Sequence, residues 1–413
     1  MTMSAGRRRN SLRILTFTSL YPSTARPRHG IFVETRLLQI RRLADIDVRV
    51  VAPVPWVPPL FRRMPRCASL AKLPREEVLQ GIPVRHPRYP SIPGMGMYTA
   101  PLAMAASARA TLDRMLAEGF DFDLIDAHYF YPDGVAAAIL ARRYGKPLII
   151  SARGTDLNLL PAYRVPRRLI RWAARRADAI IAVSSALKER LIGLGAEASR
   201  IHVLRNGVDC DLFRPVDRHT ARAMLGFGSA PVFLAVGNLV PEKGFDLVID
   251  AVAAIPDAQL AIIGEGAERE RLMARAAAQG IASRVHILAV RPQLDLAVAY
   301  SAADALVLAS IREGWPNVLL EAMACGTPVV ATDVGGVREI MQVPAAGVVA
   351  ESRSASALTL GMRDILSNPR DRDAVRRYAM TFDWNQVASR QLDLCDEVVS
   401  RTRHRASMLA TAS

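Results

Sequence analysis

Cysteine is scarce in this chain and shows no pairing pattern. Cys67, Cys210, Cys325 and Cys395 are spread over 413 residues without a CxxC spacing. That argues against a disulfide framework and a cysteine zinc site, and it fits a reducing compartment. Aromatic residues make up only 6% and do not interleave with the basic clusters, so nucleic acid is not an expected partner. No apolar run reaches the ~18–20 residues that a spanning helix needs. The opening MTMSAGRRRNSLRILTFTSLYP superficially resembles a signal peptide. Its apolar part is short, Thr16, Thr18 and Ser19 break it, and no small-residue cleavage site follows, so residues 12–20 read as a first buried strand. Acidic residues are short in one half only. Residues 1–215 carry 34 Lys+Arg against 17 Asp+Glu, a net of +17, whereas residues 216–413 carry 20 against 22, a net of −2. The basic half suits an anionic membrane surface or a phosphorylated acceptor.

What the chain does have is length and alternation. With 413 residues, 51% apolar and 23% charged, it is expected to form two globular domains. Short apolar runs at 12–20, 48–53, 124–128, 148–151, 179–183 and 201–204 alternate with helical patterns at 33–44, 100–118, 134–144 and 167–177. Near-continuous apolar runs are the mark of parallel strands covered on both faces, and the alternation predicts a doubly wound α/β layer. Residues 54–98 are proline-rich and read as an irregular excursion on the acceptor side. The rhythm breaks at 211–231 and then restarts. Strands are predicted at 232–237, 260–264, 285–288, 305–308 and 328–331, with helices at 245–254, 268–278, 294–301 and 317–325. A last helix is expected at 384–400, followed by a frayed tail at 402–413. Two such units facing a central cleft would bind ligand outside the carboxyl ends of their strands.

The turns after those strands carry the chemistry. Gly237-Asn238-Leu239-Val240-Pro241-Glu242-Lys243-Gly244 places a lysine before a helix, where the dipole disfavours a cation unless an anion sits in front of it. Lys243 and the free N–H groups would share a phosphate there. Gly264-Glu265-Gly266 permits close backbone approach but is a weak signal alone. Glu313-Gly314-Trp315-Pro316-Asn317-Val318 leads into a helix whose first N–H groups are free to meet an anion. Glu313 precedes that helix and Glu321 lies about one turn inside it. One carboxylate can bind a transferred sugar and the other a ribose. Gly335-Gly336 and Glu339 follow the next strand, with a plain structural turn as the alternative. In the first half, Gly30 ends a long loop after the first strand. His128, Arg153 and Asp156 stand at strand ends and are acceptor-side candidates.

Together, EGWPNVLLEA, CGTPVVATDVGG, the Lys243-Gly244 turn, NGVD at 206–209 and IIGEG resemble retaining glycosyltransferases of family 4 with the GT-B fold. The resemblance covers nearly the whole chain. The SLYP…HGIFV start and HYFYPDG…RGTD look like a bacterial subgroup that builds exopolysaccharide or teichuronic-type polymers. It implies two Rossmann-like domains, an acceptor-side one at 1–212 and a nucleotide-sugar domain at 213–378, with a C-terminal helix at 379–401 crossing back to the first. It also implies that Lys243 binds the donor diphosphate, Glu313 the transferred sugar and Glu321 the ribose. The backbone at Trp315, Pro316, Asn317 and Val318 would meet sugar and phosphate, and Gly30 would approach the diphosphate. Two positions depart from the family pattern. Asn238 stands where an arginine is common, and Arg153 where a histidine is common. Arg312 or Arg153 would then supply the missing charge.

The expected reaction is hexosyl transfer, with retention, from a nucleotide diphosphate sugar to a hydroxyl of a lipid-linked or polysaccharide acceptor. Lys243 and helix N-termini would stabilise the departing diphosphate without a metal ion or other cofactor. The expected place is the cytoplasm, peripheral to the inner membrane face. A nucleotide-sugar 2-epimerase would share the architecture. A Rossmann oxidoreductase is disfavoured because the first strand turn, SLYPST, lacks G-x-G-x-x-G. A non-enzymatic nucleotide- or nucleic-acid-binding protein is the remaining, weaker alternative.

Overall fold

The computed structural model describes residues 12–59, 64–91, 94–289 and 293–411. The chain divides into two compact units. The first holds the described residues up to Val183, Leu187–Leu204 and those from Asn385 onward, and the second holds Ser184–Ala186 and Arg205–Trp384.

The first unit is built on an eight-stranded sheet. Its order from edge to edge is Ile201–Val203, Ala179–Ala182, Leu148–Ala152, Leu124–His128, Leu12–Phe17, Ile46–Val51, Ile82–Arg85 and Glu76–Leu79. All neighbours pair in parallel except the last two. The central strands Leu124–His128 and Leu148–Ala152 are buried at every residue, which is why they read as unbroken apolar runs. Strand order reverses at Leu12–Phe17, so the switch point lies between that strand and Leu124–His128, where open α/β sheets place their ligands.

Two expectations fail in this unit. The excursion at 54–98 is not irregular throughout. It contains the helix Pro65–Lys72 and an antiparallel hairpin of Glu76–Leu79 with Ile82–Arg85. The hairpin turns on Gln80 and Gly81, with φ of 49° and 73°, the two-residue left-handed geometry that matches strand twist. The tail is not frayed either, because the final helix runs from Trp384 to Thr411. Val398 and Val399 lie in the first unit's core beside Val33, Leu37 and Ile40, and Arg403 donates to Asp123 at 2.6 Å. These contacts carry the helix past the point where its sequence turns polar.

The second unit has a six-stranded, wholly parallel sheet in the order Val285–Leu288, Gln259–Ile263, Val232–Val236, Ala305–Leu308, Val329–Thr332 and Gly347–Ala350. Phe245–Ala253 and Ala355–Ser367 cover it with Val248, Ile249, Val252, Leu358 and Met362 in one core. Here the switch point falls between Val232–Val236 and Ala305–Leu308, the two strands that lead into the turns of Lys243 and Glu313.

Candidate functional site

The two turns at the second unit's switch point are fastened to each other. The Ile311 N–H donates to the Glu242 carbonyl at 2.8 Å, and Arg312 pairs with the Glu242 carboxylate at 3.0 Å. A side chain at Gly244 would strike the Ala309 carbonyl oxygen, 2.3 Å from an added Cβ. The result brings Lys243 Nζ to 2.6 Å from Glu313 Oε1, an ion pair made by strands that adjoin in space but stand far apart in sequence. Ser310 Oγ donates to the same Glu313 oxygen at 2.7 Å. The Ser310 carbonyl is held in turn by Thr332 Oγ1 at 3.0 Å. Glu313 is thus fixed by a cation and a hydroxyl at the carboxyl end of the central strands.

Glycines pack this turn against the next one. An added Cβ at Gly335, which has φ +56°, would lie 2.2 Å from the Glu313 carbonyl oxygen, and one at Gly336 would lie 2.7 Å from the Trp315 ring. Gly264 and Gly266 make the same kind of approach to the backbone of Gly237 and Leu239. These glycines therefore admit neighbouring protein chain, a use that the sequence pattern alone does not separate from ligand approach. Asn238 sits in that turn between them. Trp315 is 6% exposed, and its indole Nε1 is buried without a hydrogen-bond partner. Pro316 is the N-cap of Asn317–Ala324, so the N–H groups of Asn317 and Val318 have no partner within the helix. Asn317 Oδ1 accepts from Asn206 Nδ2 at 3.1 Å. Glu339 is already engaged: Ser185 N–H donates to it at 2.7 Å and Arg205 Nη2 at 2.6 Å.

Glu321 lies inside the same helix and accepts from the Tyr300 hydroxyl at 2.8 Å. Burial pushes its carboxyl up to about 7, against the Tyr300 bond that lowers it. Sequence reasoning missed Tyr300, which sits 21 residues upstream in a different helix with no motif around it. The raised pKa has a testable sign. The folded chain binds more protons than the unfolded chain between about 4.5 and 7, so this group's contribution is complete below that window and is lost as pH rises through it. Glu321→Gln is expected to flatten the fall in stability of the ligand-free protein over that interval, measured as Tm against pH. An unchanged profile would contradict a protonated Glu321. Asp133, also pushed up to about 7 by burial, contributes a second slope of the same sign that this variant leaves in place.

In the first unit the structure brings His128, Arg153 and Asp156 together, but not as three groups on a surface. His128 and Asp156 are fully buried. Arg153 Nη2 donates to His128 Nδ1, while His128 Nε2 lies 3.2 Å from Asp126 Oδ2. An Nδ1 that accepts from a guanidinium carries no proton, and burial lowers the histidine pKa further, so His128 is neutral. Its ring links Asp126 to Arg153 and does not reach solvent. Asp156 accepts the N–H groups of Phe130 at 2.8 Å, Gly154 at 2.7 Å and Arg153 at 3.1 Å, which shapes the turn that presents Arg153. Gly30, at φ +71°, caps the helix Ile31–Leu43 and packs against the Leu20 carbonyl. Asp133, which the sequence did not single out, receives both the N–H and the hydroxyl of Ser19, tying the switch-point loops together. Among the described residues, no group of three or more His, Cys, Asp or Glu could hold a metal ion, and no helix is long and apolar enough to cross a membrane. Of the basic clusters Arg7–Arg9, Arg62–Arg66 and Arg164–Arg176 that could meet an anionic surface, the first and the Arg62 and Arg63 part of the second lie outside the described residues.

Residues 217–382 match the family Glycosyl transferases group 1, and residues 33–212 match Glycosyltransferase Family 4. A putative teichuronic acid biosynthesis glycosyltransferase of Bacillus subtilis is 31% identical over 336 residues, covering 80% of this chain and 83% of its own. D-inositol 3-phosphate glycosyltransferase 1 of Catenulispora acidiphila is 29% identical over 440 residues, covering 98% and 100%. In fold, the chain matches sucrose-phosphate synthase of Thermosynechococcus elongatus with a TM-score of 0.80 at 21% identity, covering 95% of this chain and 100% of that one. HepE of Anabaena in complex with UDP matches with a TM-score of 0.67 at 22% identity, covering 97% and 100%. The chain belongs to the family 4 glycosyltransferases and has their GT-B fold, two Rossmann-like α/β domains.

Proposed function

We propose that this glycosyltransferase moves a hexose, with retention of anomeric configuration, from a nucleotide diphosphate sugar to a hydroxyl of a lipid-linked or polysaccharide acceptor. The Lys243–Glu313 pair at the second unit's switch point carries the reading. Breaking the bond from the anomeric carbon to phosphate oxygen builds negative charge on the diphosphate and positive charge on the sugar. Lys243 and the N–H groups at Asn317 and Val318 meet the first, and the Glu313 carboxylate faces the second. Glu321 takes the ribose hydroxyls. No metal ion takes part, and the departing phosphate accepts the acceptor's proton. The chain works in the cytoplasm, peripheral to the inner membrane face, on an envelope or extracellular polysaccharide. Two relatives named for glycosyl transfer, one of them to a phosphorylated inositol, and a fold neighbour solved with UDP support this reading.

The test is a panel of UDP-, GDP- and ADP-sugars with and without acceptor extract, read as nucleoside diphosphate release and as label transferred to lipid or polysaccharide. One donor is expected to release its diphosphate, faster with acceptor present. Isomerisation of the donor sugar without transfer would instead identify a nucleotide-sugar 2-epimerase, and no turnover of any donor would overturn the reading.

A further inference from the structure

We infer that the exposed face of the helix Arg164–Arg176 is a docking surface for an anionic lipid bilayer. The helix has two unlike sides. Pro166, Ile170, Ala173 and Ala174 are buried and anchor it in the first unit. All six of its arginines are exposed; Arg167 also donates to the Pro161 carbonyl at 2.7 Å and Arg176 lies over the Trp172 ring. Arg164, Arg168, Arg171 and Arg175 recur at helical spacing along about 16 Å of one side. With Arg167 they line an open groove of ≈ 410 Å³. The chain carries no acidic residue between Asp156 and Asp178, and among the described residues no carboxylate pairs with these arginines. Such a row of uncompensated cations concentrates anions in front of it.

Exposed apolar side chains select a bilayer over other polyanions. Tyr163 and Val165, at the start of the same helix, are 42% and 43% exposed. The neighbouring helix Gly96–Ala117 packs beside it and exposes Tyr98 and Leu102, one turn apart, at 46% and 67%. Guanidinium groups with aromatic and aliphatic tips suit the boundary between headgroups and acyl chains. A polynucleotide would take up the charge but gain nothing from Val165 or Leu102. The surface needs neither donor nor acceptor to act, so it is tested apart from the transfer reaction.

The full chain is mixed with vesicles of phosphatidylglycerol and phosphatidylcholine, or of phosphatidylcholine alone, and co-sedimented at low and high salt. Binding is expected on the anionic vesicles only and is expected to weaken with salt. Arg164→Gln, Arg168→Gln, Arg171→Gln and Arg175→Gln combined are expected to lower the partition coefficient at least about tenfold. The same charge removed elsewhere, at Arg338, Arg363, Arg377 and Arg390, is expected to lower it less than about twofold. Far-UV circular dichroism confirms that both variants fold. Equal losses in the two variants, equal binding to neutral vesicles, or displacement from anionic vesicles by a stoichiometric oligonucleotide would each overturn the inference.

Discussion

Lys243→Ala is expected to lower the rate of sugar transfer by roughly 10²–10³-fold and to weaken nucleoside diphosphate binding, with the fold intact. The magnitude is that of deleting one preorganised group aimed at developing charge. Stability should change far less, because the Lys243 side chain is 28% exposed and its partner 13%, and a half-open pair is worth on the order of 1 kcal/mol. Glu313→Gln separates the two roles. It keeps an acceptor for Ser310 Oγ and removes the carboxylate charge, so kcat is expected to fall by about 10²-fold or more while diphosphate affinity stays near that of the wild type. Initial rates with the donor found in the nucleotide-sugar panel, calorimetric titration of the diphosphate and thermal melts together check this. Transfer at the wild-type rate in either variant would sink the assignment of this pair. The ion pair also explains how a lysine rests at a helix start before any anion arrives: Glu313 compensates it until a diphosphate can share it.

That Lys243 and Glu313 stand in turns at strand ends was legible from the sequence for a simple reason, whereas their ion pair was not. Each follows a strand that reads as a buried parallel run, and ligand turns follow such strands. The strands themselves fell within a few residues of their predicted ends. The hairpin Glu76–Leu79 with Ile82–Arg85 was hidden by a different pattern. It lies at the sheet edge, its strand Glu76–Leu79 alternates between exposed and half-buried residues, and prolines on both sides suggested a loop. The end of the final helix was hidden because its last turns are polar and owe their order to contacts with distant residues such as Asp123.

Within the sites, residue types were easier to find than their partners. Tyr300 on Glu321 and Gln391 on Asp126 come from other elements, 21 and 265 residues away, and no local spacing announces them. The glycine turns were found, but their contacts differ from what spacing suggests, since Gly264, Gly266 and Gly335 admit protein backbone. His128 was identified as a strand-end polar residue. Its complete burial depends on the sheet around it, and in the folded unit it positions Arg153.

The same burial yields the largest stability effect we expect. Gln391, on the final helix, donates to Asp126 Oδ2 at 3.0 Å and accepts from Arg36 Nε, and all three side chains are buried. Burial lowers the Arg36 guanidinium to about 10. Burial also pulls the Asp126 carboxyl upward, but the His128 ring N–H beside it and the Arg36 and Arg153 guanidiniums outweigh it and hold the group below its usual range. Arg36→Met leaves that carboxylate with less compensation, and stability is expected to fall by about 3–5 kcal/mol, as when one partner of a buried pair is removed. Arg36→Met, Asp126→Leu and Gln391→Leu together remove charge and amide at once, and are expected to recover a large part of the loss. Asp126 also sets a pH dependence. Its depressed pKa contributes stability above the ordinary carboxylate range, and that contribution is lost as pH falls through the folded value. Two units need not melt as one transition, so the readout is amide exchange in the first unit's strands Leu12–Phe17 and Leu124–His128. Protection there should fall in Arg36→Met and partly return in the triple variant, while the second unit's strands stay unchanged. A loss within about 0.5 kcal/mol in Arg36→Met, the range of an ordinary surface substitution, would mean that the network does not hold the final helix to the first unit.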